Sequence, residues 1–293
     1  MRLNYYIETS TSSVTAWSTA RIPLEPKGWL LEFRNQLRSA IAGLPSVDGR
    51  ILYAAYRSPI GGYVDVENLL IYNVGPAYLA SATKNGLVFK RSYQASRVCP
   101  VELISPVLHQ YEYGLIDDKS QSLEGQDGSL LASLSFELSA TALHSCAGVW
   151  YAAKKGSTTL TQSAHVAKQW GMFVTISGPS STTIVCSRIV KPLIDGITSA
   201  LHYHDGSNID YLSRQLGKNL RLSDDALIGT LLEDSSHALF GRTNLLYPYR
   251  NNVKWNPQDD YCTYCSMKCL YGLPPRNLKI DCRICDLSQH DTI

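Results

Sequence analysis

Two cysteine pairs near the C-terminus constrain the fold of this chain more than any other feature. Cys262 and Cys265 form one C-x-x-C motif, Cys282 and Cys285 form a second, and sixteen residues separate the pairs. Two pairs at this spacing are typical of a structural zinc site, because four thiolates complete the tetrahedral coordination that Zn²⁺ takes. We therefore predict a zinc ribbon or treble-clef module at residues 251–293.

Other interpretations of the cysteines stay open. A disulfide framework needs an oxidising compartment, and the N-terminus has no apolar stretch of the kind found in secretory signals. An iron–sulfur cluster is chemically possible because Cys269 adds a third thiol, although the spacing of these cysteines matches no ferredoxin motif. With zinc, Cys269 becomes a spare or alternative ligand. Cys99, Cys146 and Cys186 stand alone in apolar surroundings, which favours small core residues over nucleophiles.

The composition indicates a globular protein. Hydrophobic residues make up 44% and charged residues 18% of the 293 residues, and the net charge of +2 is too small to indicate a partner by itself. The least polar long stretch, residues 130–153, is interrupted by Glu137 and His144, so it predicts buried core and no membrane span. We expect a cytoplasmic protein.

The hydrophobic pattern predicts an α+β fold. Residues 27–44 carry Leu30, Phe33, Leu37 and Ile41 at helical spacing, whereas residues 49–58, 130–139 and 172–178 are typical of strands. A polar stretch at 117–129 is the best candidate for a linker. We predict α+β halves at 1–120 and 121–250, followed by the zinc module.

The two halves share an order of parts, which suggests an internal duplication. Each has a helical stretch, then a β run, then a polar turn and an acidic residue at an element start. Residues 27–80 and 160–206 are then expected to be copies related by a pseudo-two-fold axis.

Two segments in these halves resemble the helix-start signature of RusA-type Holliday-junction resolvases. That family has a Pro-Asp-x-Asp-Asn-Leu-x-Lys pattern followed by further aspartates. Residues 65–70, "DVENLL", match it at Asp65, Glu67 and Asn68, and residues 191–201, "KPLIDGITSAL", match it at Asp195. The resemblance implies a magnesium-dependent enzyme that cuts branched DNA, here as a fused pseudo-dimer of what is a homodimer in the family.

The chain also departs from this signature. In the first half, Ile71 stands where lysine is expected and Gly75 replaces the next aspartate. In the second half, Leu193 replaces the first acidic residue and Gly196 the asparagine. Neither half keeps a full set of ligands.

The candidate catalytic residues are Asp65, Glu67 and Asp195, with Mg²⁺ or Mn²⁺ as the cofactor. Asp65 and Glu67 lie two residues apart, so in a strand they would share one face and could hold one ion. The alternative for each acid is a solvated side chain or a helix N-cap.

The predicted function is that of a nucleic-acid-processing protein, a magnesium-dependent nuclease if it is catalytic. The alternative is a non-catalytic zinc-containing subunit that binds nucleic acid or a protein partner in a larger complex. Aromatic and cationic side chains interleave at the C-terminus, as on surfaces that stack bases and contact phosphates, although such tyrosines can equally cover a packing seam. They are Tyr261, Tyr264, Tyr271, Lys268, Arg276, Lys279 and Arg283.

Overall fold

Helices and strands are mixed along the chain, which confirms the predicted α+β class. The computed structural model describes residues 3–60, 65–95, 97–117, 128–161, 169–180, 183–272 and 277–287. The predicted linker at 117–129 lies almost entirely outside the described residues. Of the helices described, none is both long enough and apolar enough to cross a bilayer.

The first group of elements, in chain order, is β1 (Tyr5–Thr9), β2 (Ser13–Ser18), α1 (Trp29–Ala42), β3 (Arg50–Arg57), a π-helical turn (Asn68–Tyr72), β4 (Gly86–Ser92) and β5 (His109–Asp117). The middle group is β6 (Leu130–Leu138), a 3₁₀ turn (Ala142–His144), α2 (Cys146–Lys155), β7 (Ser157–Leu160), β8 (Trp170–Gly178), α3 (Cys186–Ala200) and β9 (His202–His204). The last group is α4 (Ile209–Leu220), α5 (Asp225–Glu233), β10 (Gly241–Thr243), β11 (Leu246–Tyr249), β12 (Asn252–Trp255), a 3₁₀ turn (Asp259–Tyr261), β13 (Cys262–Tyr271) and β14 (Leu278–Asp286).

The contacts divide the chain into two compact units. The first comprises residues 1–125, 183–188 and 260–269, and the second comprises 126–182, 189–259 and 270–293. The C-terminal segment 251–293, predicted as a separate module, is thus distributed over both units.

A six-strand run organises the first unit, in the order β1-β2-β5-β3-β4-β13. Its neighbours pair antiparallel except β3 and β4, which are parallel. The C-terminal strand β13 pairs with β4 from Tyr264 to Lys268. Gly86 of β4 permits this approach, since a Cβ at that position would lie 2.7 Å from the Met267 carbonyl oxygen.

Helix α1 covers one face of the first unit's sheet, and the predicted periodicity is confirmed. Its residues Phe33, Leu37 and Ile41 are fully buried, each burial contributing roughly 1.5–3 kcal/mol. The Phe33 ring packs on Tyr5, with ring centroids 4.8 Å apart. The helix begins after Gly28, whose φ of 56° is a left-handed conformation that favours glycine.

In the second unit the strand order is β8-β14-β6-β7, and the recorded pairs are antiparallel. Strands β6 and β8 confirm the strands predicted at 130–139 and 172–178. Helix α3 packs against α2 so closely that a Cβ at Gly196 would lie 2.6 Å from Cβ of Val149. This contact explains why glycine stands at 196, where the resolvase signature has asparagine.

The structure does not confirm the internal duplication. The "DVENLL" segment leads into the short π-helical turn after β3, whereas "KPLIDGI" lies inside the 15-residue helix α3. These segments are therefore in helical elements of different kinds.

Candidate functional site

The two C-x-x-C motifs lie inside strands. Cys262 and Cys265 belong to β13, and Cys282 and Cys285 belong to β14; all four are buried. Side chains three residues apart in a strand point to opposite faces of a sheet, whereas a zinc knuckle aims both thiols at one point from a turn. Among the described residues, no three cysteines gather their sulfur atoms around a common point. The zinc ribbon is not confirmed, and zinc binding stays a prediction.

Cys269, predicted as a spare metal ligand, contacts another cysteine in the first unit. Its sulfur lies 3.5 Å from that of Cys186 at the start of α3. The hydrogen bond with Cys269, together with burial, raises the pKa of the Cys186 thiol well above its usual value. Burial, followed by the Glu67 carboxylate, raises the pKa of Cys265 in the same way. In the absence of a metal, both shifts favour the protonated thiol, as in core residues.

Asp65 caps the helical residues 66–72, a segment that follows β3 and includes the π-helical turn. Its Oδ1 accepts a hydrogen bond of 2.9 Å from the Asn68 backbone N–H, and the Asn68 amide also donates to Oδ2. This corrects the prediction that Asp65 and Glu67 share the face of a strand, because residues two apart in a helical turn point in different directions. Glu67 is 2% exposed and lies beside Cys265.

A second carboxylate, not identified from the sequence, lies near Asp65 within the first unit. Oxygen atoms of Asp65 and Asp260 are within 4.8 Å of each other. Asp260 is exposed and lies in the 3₁₀ turn that leads into β13. The Asp-Asp dipeptide before the cysteine-rich strand was the available signal, but its approach to Asp65 depends on the strand pairing. Two carboxylates at this separation suit a hard divalent cation.

Asp195 belongs to an ionic group of the second unit. Lys191, four residues earlier on α3, lies 3.0 Å from Asp195 and 3.5 Å from Asp259. Both carboxylates are mostly buried, so the lysine stabilises their charges. Burial and the Asp195 carboxylate raise the pKa of Cys146 well above its usual value.

The aromatic residues of the C-terminal segment differ in their exposure. Tyr264 is 4% exposed, so it packs in the core, whereas Tyr271 is 41% exposed. Arg283 lies over the Phe173 ring at 5.3 Å, and Lys279 pairs with Asp281 at 3.0 Å. Arg276 lies outside the described residues. The alternative that these tyrosines cover a packing seam therefore applies to Tyr264, whereas the Tyr271 ring is exposed to solvent.

The fold and these groups define an α+β protein with a carboxylate pair in one unit and a lysine–aspartate group in the other. No protein-family model matches its sequence, and no curated protein shows significant similarity to it.

Proposed function

We propose that this chain is a nucleic-acid-processing protein that holds a divalent cation at Asp65 and Asp260 and cleaves phosphodiester bonds. The observation that supports the proposal is the approach of the two carboxylates to within 4.8 Å in the first unit. A bound Mg²⁺ or Mn²⁺ would polarise the phosphate and lower the pKa of the attacking water.

The chain's own residues divide this work. Asp65 has a fixed orientation because its carboxylate caps the helical segment, whereas Asp260 is exposed and open to solvent. Water and a substrate phosphate can therefore complete the ligand set, as is usual for Mg²⁺ in proteins. Glu67, which is buried beside Cys265, is proposed to act through its negative charge and its position rather than by touching substrate.

We also propose that Asp195 contributes to catalysis, and its substitution tests this role separately from those of Asp65 and Asp260. Its pairing with Lys191 gives it a structural role in the second unit, so its substitution affects that unit whether or not it acts in catalysis.

Non-catalytic binding of nucleic acid is a second candidate function. The observation that favours it is that Asp65 and Asp195 each already have a structural role, as an N-cap and as an ion-pair partner. On this view the protein binds nucleic acid within a larger assembly and does not cleave it.

One experiment separates the candidates. Wild type and the variants Asp65→Asn, Asp260→Asn, Glu67→Gln and Asp195→Asn are incubated with branched DNA, duplex DNA and single-stranded RNA, each with Mg²⁺ or Mn²⁺. Asn is as good an N-cap as Asp, so Asp65→Asn removes the charge while preserving the cap. Asp224→Asn is the matched control, because Asp224 caps α5 in the same manner.

We expect Asp65→Asn and Asp260→Asn to abolish cleavage and weaken Mn²⁺ binding in a titration, with Asp224→Asn unchanged. Binding by wild type without cleavage in either metal would favour the non-catalytic candidate. If wild type neither binds nor cleaves nucleic acid, both candidate functions are contradicted. A protein partner would then be the best explanation.

A further inference from the structure

The hairpin formed by β11 and β12 presents aromatic and cationic side chains to solvent. Its sequence, "LYPYRNNVKW" at 246–255, contains two tyrosines, one arginine and one lysine but no carboxylate. Tyr249 is 48% exposed, and Arg250 and Lys254 are also exposed. The hairpin thus combines positive charge with flat apolar rings on a short, regular element.

The two faces of this hairpin differ. Tyr247 pairs with Lys254 and Tyr249 with Asn252, so these four side chains share one face. The opposite face carries Leu246, which is buried, and Trp255, whose ring lies 5.6 Å from that of Trp150. The inner face therefore anchors the hairpin in the second unit and leaves the tyrosine face outward.

The cations are held at the rings. The Lys254 ammonium lies 5.8 Å from the ring centres of both Tyr247 and Tyr249, and the Arg250 guanidinium lies 5.3 Å from the ring centre of Tyr249. Within the part of the chain that the structure describes, neither cation forms an ion pair with a carboxylate. Both charges are available to a phosphate without the breaking of a salt bridge.

Arg250 occupies a backbone conformation that arginine rarely adopts. Its φ of 54° is left-handed, a region that favours Gly and Asn at hairpin turns. The adjacent helix supports the turn, because the Tyr211 hydroxyl donates to the Arg250 carbonyl at 3.5 Å and Asn219 donates to Asn252 at 2.9 Å. These hydrogen bonds hold the turn, so the Arg250 side chain is presented from a fixed backbone.

Helix α4 adds charge beside the hairpin. Arg214 and Lys218 of α4 are exposed and lie one turn apart, and Arg221, which is also exposed, is the left-handed residue that follows the last turn. Together with Arg250 and Lys254, they give this surface five cations beside two tyrosine rings. We name this surface the hairpin–α4 surface.

We propose that the hairpin–α4 surface binds single-stranded nucleic acid. Bases would stack on Tyr247 and Tyr249, and Arg250, Lys254 and the α4 cations would contact the phosphates, which is how aromatic platforms bind single strands of any sequence. A duplex keeps its bases stacked inside and offers the two tyrosine rings no exposed base on which to stack. The inference shares with the proposed function only the choice of nucleic acid as partner; it uses other residues and needs no cation.

The test measures binding without cleavage. Fluorescence anisotropy of labelled single strands of DNA and of RNA, about fifteen nucleotides long to fill one such surface, is recorded in EDTA, with a duplex of the same sequence as competitor. EDTA removes any metal-dependent cleavage, so the outcome is independent of Asp65 and Asp260. The variants are Tyr249→Ala, Tyr249→Phe, Lys254→Ala and Arg250→Gly. The matched controls are Tyr151→Ala and Lys155→Ala, since these side chains form a Tyr–Lys contact of 5.5 Å on α2 of the same unit.

We expect Tyr249→Ala to weaken binding on the order of tenfold and Tyr249→Phe to leave it within about twofold, because stacking needs the ring and not the hydroxyl. Lys254→Ala and Arg250→Gly should each make the slope of log K against log salt shallower by about 0.7, the value for one phosphate contact on a single strand. Arg250→Gly also relieves the turn, so weaker binding with an undiminished melting temperature excludes unfolding as the cause.

Three results would overturn it: absence of single-strand binding by wild type, equal weakening by the hairpin and control variants, or a duplex that competes as well as the single strand. Retained binding in EDTA together with absent cleavage in Mg²⁺ would reject the nuclease proposal alone.

Discussion

The sulfur atoms of Cys186 and Cys269 lie 3.5 Å apart in the first unit, where the start of α3 meets β13. Cys186 is fully buried and Cys269 is 9% exposed, so the pair belongs to the core. The contact with Cys186 therefore explains the burial of Cys269 without a role as a metal ligand.

Cys186→Ser is expected to lower the free energy of unfolding by about 1–3 kcal/mol, because it buries a hydroxyl in an apolar site. Urea denaturation measures the change. Cys99→Ser is the matched control, since Cys99 is only partly buried, and it should change stability by less than about 0.5 kcal/mol. Equal effects of the two variants would contradict a core role for Cys186.

The zinc prediction and the strand geometry lead to different expectations. The four-cysteine site predicts one zinc per chain, released by Cys282→Ser. Thiols three apart in β13 and in β14 point to opposite faces, so the strand geometry, if it persists in solution, would give substoichiometric zinc and a melting temperature unchanged by a chelator. Elemental analysis before and after dialysis against chelator decides the question. Stoichiometric zinc that Cys282→Ser removes would show that the cysteine pairs leave their strand geometry to bind metal.

The cap at Asp65 predicts a difference between two substitutions. Asp65→Ala should destabilise the protein by about 1 kcal/mol because the Asn68 N–H loses its acceptor, whereas Asp65→Asn should cost only a few tenths. Both variants remove the carboxylate and should weaken Mn²⁺ binding equally. If Asp65→Asn destabilised the protein as much as Asp65→Ala, charge and not capping would be the structural role of Asp65.

Local pattern was sufficient for much of the fold and insufficient for the candidate site. The spacing of Phe33, Leu37 and Ile41 predicts α1 because a helix that covers a sheet must bury one stripe. The C-x-x-C spacing, by contrast, is equally compatible with a knuckle and with a strand, and the sequence does not state which partner the strand has. Asp260 reaches Asp65 only because β13 joins the N-terminal sheet, a long-range pairing that no short motif records.

The contact between Gly196 and Val149 predicts the effect of a single methyl group. Alanine normally stabilises a helix relative to glycine by about 1 kcal/mol, but at 196 its Cβ would lie 2.6 Å from Val149 Cβ. Gly196→Ala should therefore destabilise the second unit, by about 1–3 kcal/mol as overpacking does. In a double-mutant cycle, Val149→Ala should cost less in the Gly196→Ala background than in wild type, since it removes Cγ1 of Val149, which would lie 2.7 Å from the new Cβ. Additive effects would show that α2 and α3 are not packed as described.

Buried histidines predict acid sensitivity. Burial, assisted by Arg21, lowers the pKa of His109 to about 4, and burial lowers that of His202 to about 4. His109 lies 2.6 Å from the Tyr56 hydroxyl. His202 Nδ1 lies 3.2 Å from the Gly241 carbonyl oxygen, a hydrogen bond that raises the pKa but does not offset the effect of burial. A folded-state pKa below the unfolded value of about 6.5 means that the unfolded chain binds protons first as the pH falls. Stability should thus be constant above about pH 6.5 and decline towards pH 4, by up to about 3 kcal/mol for each histidine.

Urea denaturation across this pH range measures the decline. His202→Gln should make the free energy of unfolding depend less steeply on pH, because one of the two proton-linked groups is gone. This smaller pH dependence is expected even if the variant is less stable at neutral pH. His144→Gln is the control, since this histidine is exposed on the 3₁₀ turn before α2. A stability that does not change between about pH 7 and pH 5 would show that neither imidazole resists protonation in the folded state.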